Sequence, residues 1–162
     1  MTPFTFNTSR SVRFGAGLIL QLGEMTRSEI GRRVLLVTDP GMLATGLVDQ
    51  VKASLAKAAV HVTVFSDVVA DPPEAVVLAA AEAAKEADAD AVIGFGGGSS
   101  LDVAKLAAVL AMDDQSLKDI YGVGNITGTR LPLILIPTTS GTGSEVTPIS
   151  IVTTGKSEKM GV

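Results

Sequence analysis

The chain has 162 residues, 46% of them hydrophobic and 19% charged, with 13 basic side chains against 17 acidic and a net charge of −4. That is enough for one domain with a sizeable core, too apolar to be disordered, and it lacks the basic footprint that nucleic acid or an anionic membrane would need. There is no cysteine and a single histidine, His61, which removes disulfides, iron–sulfur clusters, thiol catalysis, histidine-rich metal centres and an ordinary Ser-His-Asp triad.

Residues 4–14 alternate Phe4, Phe6, Val12 and Phe14 with polar neighbours, the pattern of an extended arm able to pair with its twin in a homodimer. A helix is expected over Leu18–Ile30. Val34–Thr38 (VLLVT) then reads as a strand that runs into Asp39-Pro40-Gly41. Leu43–Ala58 sets Leu47, Val51 and Leu55 four apart on one helical stripe. Val60–Phe65 is the next strand, with His61 as a strand histidine of structural role. Alanine-rich Pro73–Ala87 is a helix with Asp71 as its cap and proline in its first turn.

Ala91–Phe95 is a third strand, Ser100–Ala111 a helix with a small-residue face, and Leu133–Ile136 a fourth strand. Residues 146–162 read as a strand, a Thr-Gly-Lys-Ser turn and the start of another strand. The four Val/Ile-rich runs do not alternate cleanly with polar residues, so they are expected to be buried on both faces, as in a parallel sheet. The fold predicted is α/β: a Rossmann-like open, mostly parallel sheet with helices on both faces and a C-terminal β-hairpin start, forming one dinucleotide-binding domain over residues 1–162. No apolar run approaches the ~18 residues of a membrane span, and the N-terminus has no secretory core, so a cytoplasmic protein is expected.

The strongest local signal is Gly94-Phe-Gly-Gly-Gly-Ser-Ser-Leu-Asp-Val-Ala-Lys105, where a strand ends and a helix begins. Consecutive glycines let backbone approach a bulky anion, and the following helix aims free N–H groups and its positive end at it. Ser99 and Asp102 have the spacing of a capping box. Together these suggest a pyrophosphate cradle at the carboxyl end of a strand; the alternative is a glycine-rich turn without a ligand. A full Gly-x-Gly-x-x-Gly fails at Ser99, and Gly155-Lys156-Ser157 fails as a Walker loop because Ser150 stands at its first-glycine position.

A second loop, Pro137-Thr-Thr-Ser-Gly-Thr-Gly-Ser-Glu145, crowds five hydroxyls and one acid past another strand end. Such groups bind phosphate or ribose oxygens without added charge, or satisfy their own turn. Asp39 could accept hydrogen bonds from an adenosine ribose and repel the 2′-phosphate of NADP; alternatively it is a turn residue before proline.

GGGSSLDVAK (96–105) and PTTSGTGSEVT (137–147), with VTDPG (37–41) and VVADPP (68–73), resemble the signatures of iron-containing, group III alcohol dehydrogenases. The resemblance implies an NAD(P)-binding domain whose relatives carry a second, helical domain holding a divalent metal, iron or zinc, through aspartate and histidines. No catalytic residue and no metal ligand of that kind has a counterpart in this sequence. It further implies that Asp39 meets the adenosine ribose, that Asp71 takes the place of a cofactor-contacting residue, and that Gly97, Gly98 and Ser99 wrap the pyrophosphate. Thr138, Thr139 and Thr142 would line the phosphate and nicotinamide side, with Thr147 and Ile149 nearby, and Lys159 would reach the ribose. NAD is expected over NADP, with a small alcohol or aldehyde as substrate of the parent enzyme. Maleylacetate reductase, glycerol dehydrogenase and dehydroquinate-synthase-like chemistry on the same scaffold, or a non-catalytic nucleotide-binding fragment, stand as alternatives.

Overall fold

In the computed structural model, which describes residues 9–112, 115–155 and 158–162, the four expected strands are β1 (Arg33–Val37), β2 (His61–Phe65), β3 (Ala91–Gly96) and β4 (Leu133–Pro137). They form a parallel sheet in the order β2-β1-β3-β4, with Val34 opposite both Val62 and Ala91, and Gly96 opposite Pro137. Successive side chains point to opposite faces, which divides the core in two. Leu35, Val37 and Val92 pack under α4 (Glu74–Glu86) and α5 (Gly98–Leu110). Val34, Leu36, Ile93 and Phe95 pack against α1 (Leu22–Glu29), α2 (Pro40–Ala44) and α3 (Leu47–Lys57).

Burial on both faces holds for β1 and β3 alone. The edge strands β2 and β4 are only partly covered, because each has a neighbour on one side. His61 opens β2 and is exposed, so its expected structural role is corrected: an edge position gives the imidazole nothing to support.

Three helix boundaries also differ from expectation. Residues 43–58 split into α2 and α3, since the Asp39 carboxylate caps a helix that starts at Pro40, and Gly46 (φ 75) interrupts it. Leu18–Gln21 is a 3₁₀ turn leading into α1. Helix α5 begins at Gly98 rather than Ser100. It crosses β3 closely at Gly94, where a Cβ would lie 2.8 Å from Ala104 Cβ and 2.9 Å from Leu135 Cδ2.

Strands β5 (Ile151–Thr154) and β6 (Glu158–Gly161) form the expected antiparallel hairpin; Lys156 and Ser157 of its turn lie outside the described residues. Thr153 pairs with the Pro72–Pro73 segment, and Gly122 N–H donates to Gly161 O. Of the expected arm, Phe4 and Phe6 lie outside the described residues. Residues 9–14 form no strand and leave Val12 and Phe14 exposed. No helix among the described residues is long and apolar enough to cross a membrane.

Candidate functional site

From β1 the chain crosses to β2 on one side, and from β3 to β4 on the other, so the connections diverge between β1 and β3. Open α/β sheets bind ligands outside the carboxyl ends of their strands at such a point. Asp39 stands just past β1, and Gly96–Gly98 end β3 and open α5. Asp39 Oδ1 accepts from Met42 N–H at 3.0 Å, and Oδ2 accepts from Ser100 Oγ at 3.1 Å. Gly96 (φ 151) leaves room for this contact, since a Cβ there would lie 2.7 Å from Ser100 Oγ and 2.9 Å from Asp39 Oδ2.

Helix α5 starts without a side-chain cap, with Gly97 at its N-cap. The expected Ser99–Asp102 capping box is therefore corrected: both residues lie inside the helix. The first-turn N–H groups of a 13-residue helix stay available. They border a cleft of about 410 Å³ lined by Asp71, Pro72, Gly98, Ser99, Asp102, Thr142, Ser144, Ile151 and Lys159.

The second loop closes against the first. Thr138 N–H donates to Gly96 O at 2.9 Å, and a Cβ on Gly98 would sit 3.2 Å from both Ser144 Oγ and Thr142 Cβ. Thr139 lies beside Gly97. Holding this loop is Lys105, whose ammonium donates to the carbonyl oxygens of Ser144 (2.9 Å), Thr147 (3.3 Å) and Ile149 (2.5 Å). Lys105 also pairs with Asp102 at 2.9 Å. The other oxygen of Asp102 accepts from Ile151 N–H at 3.0 Å.

The mouth of the cleft carries a second ion pair, Lys159 to Asp71 at 2.6 Å, with both side chains more than half exposed. Asp71 has φ 51, a left-handed conformation that aspartate tolerates better than most residues, and its carbonyl accepts from Thr153 Oγ1 at 3.0 Å. It does not cap α4, whose N-cap is Pro73 with no side-chain bond. That expectation is corrected, because the Asp71 carboxylate is turned to Lys159.

Of the residues singled out from sequence, Asp71, Gly98, Ser99, Thr142 and Lys159 meet in one cleft. Gly97, Thr138 and Thr139 adjoin it along the strand ends, while Thr147 and Ile149 offer their carbonyls to Lys105 and are themselves exposed. Asp39 lies outside the cleft lining, bonded to Ser100. Ser100, Asp102, Lys105, Ser144 and Ile151 were not anticipated as site residues. Their one sequence signal was an Asp–Lys pair three apart inside an otherwise apolar helix. Among the described residues no group of three or more His, Asp or Glu side chains could hold a metal ion. His61, at the amino end of β2, lies at the opposite end of the sheet from the carboxyl strand ends that form the cleft.

A parallel α/β sheet with an anion-receptive helix start at its switch point defines a nucleotide-binding class of domain. The sequence profile of the iron-containing alcohol dehydrogenases matches residues 9–162, and the chain belongs to that family. It is 47% identical over 144 residues to long-chain-alcohol dehydrogenase 1 of Geobacillus thermodenitrificans (strain NG80-2), covering 85% of this chain and 36% of that protein. The crystal structure of NADH-dependent butanol dehydrogenase A from Thermotoga maritima superposes with a TM-score of 0.88 at 34% identity, over all of this chain and 41% of that one. Sulfoacetaldehyde reductase from Bifidobacterium kashiwanohense, solved in complex with NAD+, gives a TM-score of 0.88 at 29% identity, over all of this chain and 43% of that one. The chain thus spans well under half the length of these relatives.

Proposed function

We propose that this chain is the NAD-binding part of an alcohol dehydrogenase that moves hydride between a small alcohol or aldehyde and nicotinamide. The observation that carries the reading is the joint cradle of Gly98 against Thr142 and Ser144 at the start of α5, where a Cβ would fill the space. In this reading Gly97, Gly98, Ser99 and the first amides of α5 hold the pyrophosphate. Thr138, Thr139 and Thr142 donate hydroxyls on the phosphate and nicotinamide side, with Thr147 and Ile149 beside them. Asp71 and Lys159 face the nicotinamide ribose, and Asp39 faces the adenosine ribose. When bound, the nicotinamide ring supplies the hydride acceptor; the chain's own residues bind the cofactor, orient it and donate hydrogen bonds to its phosphates.

The donors described here do not make a metal site, so no step is assigned to a metal on these residues. The same reading gives the 162-residue chain alone no NADH production from any alcohol. It also includes a cytoplasmic location and a homodimer built through the N-terminal arm. The exposed apolar side chains of Val12 and Phe14 support the dimer, and deletion of residues 1–11 should shift light scattering toward monomer.

Calorimetric titration tests the central claim. NAD should bind the purified chain, and NADP should bind more weakly because the Asp39 charge opposes a 2′-phosphate. No binding of either cofactor overturns the cleft assignment. Equal affinities overturn the role of Asp39.

A further inference from the structure

Asp39 is held at both carboxylate oxygens, one by Met42 N–H within its own turn and one by Ser100 Oγ from the next strand–helix junction. Ser100 is 1% exposed and does not line the cleft. We propose that Ser100 is a positioning residue for cofactor selectivity: through its hydroxyl it fixes the Asp39 carboxylate in the orientation that favours NAD over NADP. The inference rests on the ribose-facing reading of Asp39 and adds to it a residue that itself touches no cofactor.

What the second hydrogen bond removes is rotation of the carboxylate. The terminal torsion of an aspartate is broad, so a carboxylate held at one oxygen can turn its charge away from an approaching 2′-phosphate. Held at two, it cannot. An ionised carboxylate offers about four acceptor positions, so two remain free for ribose hydroxyls after Met42 and Ser100 are served. The absence of a side chain at Gly96 belongs to the same device, because a Cβ would stand within 3 Å of both Ser100 Oγ and Asp39 Oδ2. Selectivity is thereby written across the ends of two neighbouring strands, β1 and β3.

The test is a double-mutant cycle read as the ratio of NADP to NAD dissociation constants, measured on the purified chain. Ser100→Ala should reduce the NAD preference roughly tenfold, the scale of one hydrogen bond to a charged group. Asp39→Asn should abolish the preference, and adding Ser100→Ala to it should change the ratio no further. Should Ser100→Ala fold poorly, Ser100→Cys keeps the volume with only a weak donor and should shift the ratio in the same direction. A structural role alone would weaken both cofactors equally and leave the ratio intact, which overturns the inference. An Asp39→Asn variant with an unchanged ratio would instead overturn the reading of Asp39 itself.

Discussion

Lys105 and Asp102 form a buried ion pair whose other hydrogen bonds all run to one segment of chain. The ammonium takes the carbonyls of Ser144, Thr147 and Ile149, and the carboxylate takes the amide of Ile151. Their side chains are 11% and 9% exposed. The pair therefore acts as a clamp that gives residues 144–151, which form no regular structure before β5, a fixed course past the cleft.

Removing one partner of a buried pair leaves the other charge uncompensated, at a cost of about 3–5 kcal/mol. Lys105→Met should lose stability on that scale in urea unfolding. Hydrogen exchange should then quicken at the amides of Val146 and Thr147, both bonded to Gly143 O, more than at those of β1. Uniform acceleration throughout the chain would contradict a local clamp.

Gly98→Val would push against Thr142 and Ser144, which already lie 3.2 Å from the position of a Cβ. Gly98 opens α5 and is not among the positive-φ glycines, so the effect is steric rather than conformational. Overpacking of this kind costs about 1–3 kcal/mol. NAD affinity should fall at least tenfold in variant protein that remains folded, as compared by thermal midpoint and calorimetry. Retained affinity would assign the glycine to a turn alone.

Lys159 and Asp71 stand at the cleft mouth with more than half of each side chain in solvent, where an ion pair contributes at most about 1 kcal/mol. Lys159→Met should leave the melting temperature nearly unchanged and weaken NAD several-fold. The wild-type affinity should decline with added salt more steeply than that of the variant.

Tyr121 donates its hydroxyl to the Glu74 carboxylate at the start of α4. Burial first, and the neighbouring Glu74 second, push the phenol above its ordinary range. The folded chain thus keeps this proton where the unfolded chain releases it. The contribution is fully present below about pH 10 and is lost as pH rises beyond it. Urea midpoints at pH 8 and pH 10.5 should diverge more for wild type than for Tyr121→Phe.

The central strands were legible because their Val/Ile runs carry the burial of both faces in the residues themselves. Edge position was not, since strand order follows from crossovers rather than from any local pattern, and so the exposure of His61 on its strand was not anticipated. Asp39 and the two glycine–hydroxyl loops could be read as a candidate site because backbone access and anion binding restrict residue type at short range. Ser99 and Asp102 were mistaken for a cap because the glycine before them starts the helix first. The partners of Lys105 lie 39 to 44 residues farther along, and no periodicity encodes such a separation. A lysine in a helix ordinarily reads as a solvent-facing residue.

The distance along the chain between Lys105 and its carbonyl partners has a kinetic consequence. A contact spanning about 40 residues rewards the chain only after the loop-closure entropy between its ends has been met. Strand β4 lies within that span and docks on β3, so the sheet shortens the gap that the clamp must close. Loop-closure entropy therefore predicts that the β1–β3 centre assembles first, then β4 at the edge, and the segment past the cleft last. A clamp formed that late governs how long the native state survives rather than how quickly it is reached.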